Sequence, residues 1–285
     1  MTVFLFLPGK TEKMKEKGEG LLDVRWKSVG DLLETVPERF GIAETEEMVY
    51  NTGRNQTGGR SMERLNVAID GPVSAGKSTV ADAVAKELGI LHLDTGAMYR
   101  ALGLAALRRS VDLEDEQAIV DLCRGLKISV KHEADGQHTL VEDEDVTGLI
   151  RTPEVSMAAS TVSRYAEVRK AMVAVQQRLA AETDMVLDGR DICTTVLPKA
   201  TAKIFLTASP EERARRRYLE MQKKGQETSY EQVLEDLKRR DEQDMNRPVE
   251  PLRQAEDAIL VDSTNLEFDQ VVREILTIVE KKRHG

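Results

Sequence analysis

An α/β fold, with a parallel sheet covered by helices on both faces and a small antiparallel insert, is predicted by three observations. Short apolar runs alternate with long helix-period segments from Leu65 to the end of the chain, the pattern of buried parallel strands joined by crossover helices. A glycine-containing loop, Gly71-Pro72-Val73-Ser74-Ala75-Gly76-Lys77-Ser78-Thr79, lies between the apolar run Val67-Ala68-Ile69-Asp70 and a helical pattern, which is the usual surroundings of a phosphate-binding loop. Between Leu126 and Glu142 two alternating segments flank a turn at Asp135-Gly136 and read as a hairpin interrupting the α/β order.

In chain order, residues 1–61 differ from the remainder of the chain. They combine a short apolar start, the charged run Lys10 to Lys17, a weak helical pattern through Val29, Leu32, Leu33 and Val36, and a polar, glycine-rich end from Asn51 to Arg60. No chemistry is evident there. We expect a disordered extension or upstream sequence translated from an early start, because Met62 stands immediately before the first core strand; a small appended element is the alternative. The domain proper then spans 62–285.

Leu65 to Ile69 is the first strand, and Val80, Ala83, Val84 and Leu88 mark a helix face closed by Gly89, a natural left-handed cap. Ile90 to Leu93 is the second strand, followed by a helix through Met98, Leu102 and Leu107 and a shorter one from Asp112 to Cys123. Val186-Leu187, Ala202 to Leu206 and Ala258 to Val261 are further buried strands. A final helix shows a core stripe of Phe268, Val271, Val272, Ile275, Leu276 and Val279. The insert, about 125–185, belongs near the carboxyl ends of the strands, where it can help hold a second ligand.

The composition limits the partners. The 285 residues are 40% apolar and carry a net charge of −9, so there is no general basic footprint for nucleic acid or an anionic membrane. The run Val3 to Pro8 is too short to span a bilayer and lacks the flanks of a signal peptide. Cys123 and Cys193 are too few for a disulfide framework, which suits a reducing cytoplasm. Any anionic ligand must therefore be held locally, and clustered arginines become informative because their planar forks bind phosphate bidentately.

In the phosphate loop, backbone N–H groups can turn around a polyphosphate while the helix behind adds its positive end. Lys77 would reach the β- and γ-phosphates, and the Ser78 hydroxyl suits Mg²⁺. Four more motifs carry candidate chemistry. Asp94-Thr95-Gly96-Ala97-Met98-Tyr99-Arg100 joins a strand to a helix; it is either an Asp-capped helix start or a cleft segment presenting Thr95 and Arg100. Asp188-Gly189-Arg190-Asp191 ends a buried strand and is either a surface ion cluster or a site segment in which Asp188 holds a water of the cation shell or orients an attacking group and Arg190 neutralises a transferring phosphoryl group. Ser209-Pro210 opens a helix carrying Glu211-Glu212-Arg213-Ala214-Arg215-Arg216-Arg217, read as an ordinary charged helix or as a mobile cover, about 210–226, that excludes water. Arg240, Asp244 and Arg247 share one helix face before Pro248 and form either a salt-bridged surface or a reader of sugar and base. The four histidines share no ligand spacing, so neither metal ligation nor catalysis is expected of them.

Together, the phosphate loop, L-D-T-G-A-M-Y-R, D-G-R-D, E-E-R-A-x-R-R and R-D-x-x-D-x-x-R resemble the bacterial cytidylate kinases from Met62 to the end. The resemblance implies a P-loop kinase fold whose antiparallel insert is the monophosphate-binding domain, a mobile lid, and phosphorylation of CMP and dCMP by Mg·ATP. It implies that Thr95, Ser160, Arg169, Arg190, Asp191, Arg240, Asp244 and Arg247 line the CMP site. Arg100 and Arg190 match positions that engage the monophosphate, and Ser160, Arg240 and Asp244 match those that contact the pentose. Arg169, Arg247 and Asp191 match contacts to cytosine and nearby phosphate, with Arg151 a further insert arginine. Arg213, Arg216 and Arg217 match the lid over ATP. Cys193 departs from the family's glycine, and a left-handed backbone there would be strained.

Because a monophosphate acceptor is already anionic at neutral pH, no strong base is needed, and direct in-line transfer with Lys77, Asp188 and Arg190 as the catalytic set is expected. A monomer in the cytoplasm, serving pyrimidine nucleotide metabolism without nucleic-acid or membrane partners, completes the expectation. The rival readings are another small-molecule P-loop kinase, a GTPase-type switch, which the missing N-K-x-D motif disfavours, and a nucleotide-binding scaffold without catalysis.

Overall fold

The computed structural model describes residues 22–24, 64–133 and 136–284. Of the expected extension, only β1 (Leu22–Val24) falls among them; the rest, like Asp135 of the expected turn, lies outside the described residues. The first half of the domain contains β2 (Asn66–Asp70), α1 (Lys77–Leu88), β3 (Leu91–Asp94), α2 (Thr95–Arg108) and α3 (Glu116–Gly125). The insert comes next as β4 (Ile128–Glu133), β5 (Gly136–Val141), β6 (Glu144–Asp145), α4 (Pro153–Val162) and α5 (Ala166–Glu182). The second half holds β7 (Met185–Gly189), a π-helical turn (Ile192–Val196), β8 (Ala202–Thr207), α6 (Pro210–Lys223), α7 (Tyr230–Asn246), β9 (Ile259–Asp262) and α8 (Phe268–His284).

The core sheet has the order β3-β7-β2-β8-β9, with every neighbouring pair parallel. Its central strands are apolar on both faces because both faces are covered. Val67, Ala68, Ile69, Val186, Leu187, Ile204 and Leu206 are inaccessible to solvent, and each large side chain contributes about 1.5–3 kcal/mol by leaving water. On one face, α1 and α8 pack Val80, Val84, Val271, Ile275 and Val279 against β2 and β8. On the other, α2, α3, α5 and the insert share a core through Met98, Leu102, Ile119, Ile150 and Met172. The four-stranded antiparallel sheet, ordered β1-β4-β5-β6, flanks that second core.

Local chemistry sets the helix ends. Gly89 caps α1 at φ 65°, as its position predicts. Asp94, Asp115, Thr152, Ser209 and Ser229 each accept a backbone N–H at a helix start. Pro248 biases Arg247 to an extended backbone, so Arg247 is the C-cap of α7 rather than a residue of its face. Two apolar expectations change. β9 is an edge strand that exposes Ile259 and Leu260, and Phe268 lies exposed at the first turn of α8, where the stripe has not yet reached the sheet.

Cys193 also differs from expectation. It lies in the π-helical turn without a positive φ, so its side chain causes no left-handed strain. The thiol fits beneath the sheet, with Sγ 3.6 Å from both the Ala68 and Ile204 carbonyl oxygens. Burial raises its pKa, as it does for Cys123, where the thiol is pushed to about 11.

Candidate active site

Three adjacent strands end side by side. β2 finishes at Asp70, β7 at Gly189 and β3 at Asp94, in a register that sets Asp188 opposite both Ile69 and Asp94. The phosphate loop, D-G-R-D and the D-T-G segment therefore emerge at one edge, at the point where chain connections turn to opposite sides of β2. Together with α4, α5 and α7 they enclose a cavity of about 360 Å³. Lys77, Ser78, Thr79, Thr95, Arg100, Arg151, Ser160, Arg169, Asp188, Arg190, Asp191, Arg217, Arg240, Asp244 and Arg247 all line it, alongside Val73, Ser74 and Gly76.

The phosphate loop is shaped by steric necessity. A Cβ on Gly71 would stand 1.9 Å from the Leu206 carbonyl oxygen, a backbone atom that cannot yield. Ser74 and Gly76 have φ of 58° and 88°, and no side chain caps the start of α1, which leaves its N–H groups for a ligand. Val73 is held at both ends. Its N–H donates to Asp241 Oδ1, and its carbonyl accepts from Arg213 Nη1, which also donates to Asp241 Oδ2 at 2.6 Å. Lys77 Nζ donates to the Pro72 carbonyl at 2.8 Å. Burial and then the nearby Arg190 charge lower its pKa to about 7.

Asp188 sits at the junction. Its Oδ2 accepts the Ser78 hydroxyl at 2.8 Å, its Oδ1 meets His92 Nε2 at 2.8 Å, and its carbonyl accepts the Thr95 hydroxyl. Burial opposes charge on His92, yet the Asp188 hydrogen bond and the Asp188, Asp94 and Asp82 charges leave its pKa raised. Gly189 is required here, since a Cβ would approach Thr95 Oγ1 and Ile192 Cδ1 to 2.7 Å. The next loop is anchored by Asp70, whose two oxygens accept the Ile192 and Cys193 N–H groups at 2.9 and 2.7 Å. Burial raises the Asp70 pKa to about 6 despite those bonds.

Across the cavity, aspartates hold arginines in place. Asp94 caps α2 through Ala97 N–H and accepts Arg100 at 2.6 Å and Arg151 at 3.3 Å. Burial opposes its charge, but the Arg100 and Arg151 charges lower its pKa. Asp191 bonds Arg169 and, at 3.4 Å, Arg247, while Asp244 accepts Arg190 Nε at 2.6 Å. Arg169 also lies over the Tyr99 ring, 5.8 Å from its centroid, with its Nε buried and unbonded. Arg240 makes no hydrogen bond or ion pair among the described residues. Burial, then the Arg190 charge, pull its pKa down to about 10. Ser160 lines the same wall from α4.

Two expected lid contacts fall elsewhere. Arg213 is buried behind the phosphate loop against Asp241, and Arg216 bonds Glu212 and Ser263, fastening α6 to the end of β9. Of the three lid arginines, only Arg217 faces the cavity. Arg213, Arg216 and Arg217 stand at i, i+3 and i+4 and share one side of α6, so spacing alone does not say which of them reaches the cavity and which packs on neighbouring elements.

Ser78 and Asp188 offer hard oxygen donors beside the loop, which fits Mg²⁺. No group of three or more His, Cys, Asp or Glu able to hold a metal occurs among the described residues. No helix among them is long and apolar enough to cross a membrane.

The family profile described as cytidylate kinase matches residues 67–281. A cytidylate kinase of Caldicellulosiruptor saccharolyticus is 49% identical over 220 residues, covering 77% of this chain and 97% of that protein. The Carboxydothermus hydrogenoformans cytidylate kinase is 50% identical over 218 residues, with coverage of 76% and 98%. That of Bacillus subtilis is 48% identical over 220 residues, with coverage of 77% and 98%.

Proposed function

The chain belongs to the bacterial cytidylate kinase family of nucleoside monophosphate kinases, and from that premise we propose that it transfers the γ-phosphoryl group of Mg·ATP directly to CMP and dCMP, giving CDP and dCDP. The observation that carries this reading is a pair of anion sites sharing one cavity. One is the open start of α1 with Lys77; the other is the cluster of Arg100, Arg151 and Arg190.

Bringing two polyanions together is the main electrostatic obstacle, and the acceptor oxygen needs no general base. Lys77 exchanges its bond to Pro72 for the donor phosphates, and Arg190, next to it, leaves Asp244 for the phosphoryl group in flight. Ser78, with Asp188 beside it, would hold Mg²⁺, which would supply neutralisation of polyphosphate charge. Arg100 and Arg190 take the acceptor's phosphate, with Arg151 a further arginine of the insert beside them; Ser160, Arg240 and Asp244 take its pentose. Arg169, Arg247 and Asp191 read cytosine, Thr95 closes that wall, and Arg217 covers ATP. Residues 62–285 form the catalytic domain, with the monophosphate-binding insert at about 125–185 and the lid at about 210–226. We place it in the cytoplasm as a monomer in pyrimidine nucleotide metabolism.

CMP, dCMP, UMP, AMP and shikimate should be offered side by side with Mg·ATP, to the full chain and to one starting at Met62. ADP release with CMP and dCMP by both chains is expected. Preference for another acceptor would overturn the substrate assignment, and ATP binding without turnover on any acceptor would overturn catalysis.

A further inference from the structure

A line of three hydrogen bonds runs from the insert to the phosphate loop. His132 Nε2 on β4 bonds the His92 carbonyl oxygen, His92 Nε2 meets Asp188 Oδ1 at 2.8 Å, and Asp188 Oδ2 accepts the Ser78 hydroxyl at 2.8 Å. An ionised carboxylate and a carbonyl oxygen only accept, so both imidazoles carry their hydrogen on Nε2. The His92 and Asp188 side chains are 10% and 4% exposed, which puts the contact inside the protein rather than in solvent.

Asp188 has one oxygen for Ser78 and one for His92. A buried carboxylate can swing about its last torsion, where the energy wells are broad. The serine alone would not fix that angle, because its own hydroxyl rotates. An imidazole held on a sheet strand would. A histidine kept only for packing could satisfy its N–H on a backbone carbonyl, as His132 does; His92 instead directs its N–H to the carboxylate beside the phosphate loop.

We infer that His92 is a positioning residue for phosphoryl transfer: it fixes the Asp188 carboxylate toward Ser78, and His132 joins this constraint to the insert. The inference deepens the proposed kinase reading and rests on it for the reaction, though the contact itself can be tested without turnover.

His92→Leu removes the N–H, and His92→Gln offers an amide N–H at a similar reach. We expect His92→Leu to lower kcat about tenfold or more, the factor of a lost hydrogen bond to a charged group. The Mg²⁺ concentration for half-maximal rate should rise and KM for the monophosphate should stay unchanged, while His92→Gln recovers most of the rate. His132→Leu should show a weaker form of the same pattern. In the nucleotide-free protein, the His92 imidazole N–H resonance should move on Asp188→Asn. A leucine variant that loses melting temperature but keeps kcat and Mg²⁺ response, or a glutamine variant no better than leucine, overturns the inference. So does a His92 resonance indifferent to Asp188→Asn, and that readout stands whichever acceptor the enzyme uses.

Discussion

Lys77 is a cation whose charge its surroundings hold in balance. In the nucleotide-free protein its pKa is lowered to about 7 by burial, against 10.5 for an ordinary lysine. The unfolded chain therefore binds the extra proton between pH 7 and 10.5, so this residue makes stability rise with pH across that window; its full cost applies below about pH 7. A polyphosphate demands the charged form. Calorimetry of ATP binding at pH 8, repeated in buffers of different ionisation enthalpy, should report uptake of close to one proton, falling away toward pH 6. Lys77→Ala should abolish the uptake. In steady-state assays, Lys77→Ala and Arg190→Ala should each lower kcat by about 10²–10³-fold, as for lost transition-state donors. Both residues were legible from motif spacing. His92 and Asp241 were not, because their partners lie 96 and 168 positions away and no local pattern points to them.

At the level of elements, α6 and α7 grip the phosphate loop through one buried ion pair, Arg213 with Asp241, whose side chains are 5% and 8% exposed. Asp241→Ala would strand a buried guanidinium and free the Val73 N–H. Urea unfolding should show a loss of about 3 kcal/mol or more, with weaker ATP binding as the loop loosens. Ser209-Pro210 correctly marked where α6 begins, since capping chemistry is local. Which of its arginines turns inward was not legible, because that depends on where α7 and β9 pack.

Across the whole molecule, the parallel sheet and the meeting of three motifs at its edge could be read in advance, since apolar runs ending in glycine and aspartate fix both the strands and their functional ends. The strand order could not, and it is what makes β9 an edge with Leu260 exposed. The Cys193 backbone was likewise invisible, because Asp70 shapes that turn from 123 residues away. The ion pairs within the cavity have one further consequence. Arg100, Arg151, Arg169, Arg190 and Arg247 already have carboxylate partners, so an incoming nucleotide displaces the protein's own aspartates, not dissolved anions. Few counterions are then released. Raising the KCl concentration should therefore raise the acceptor KM only modestly, where five unpaired arginines would give a much steeper dependence.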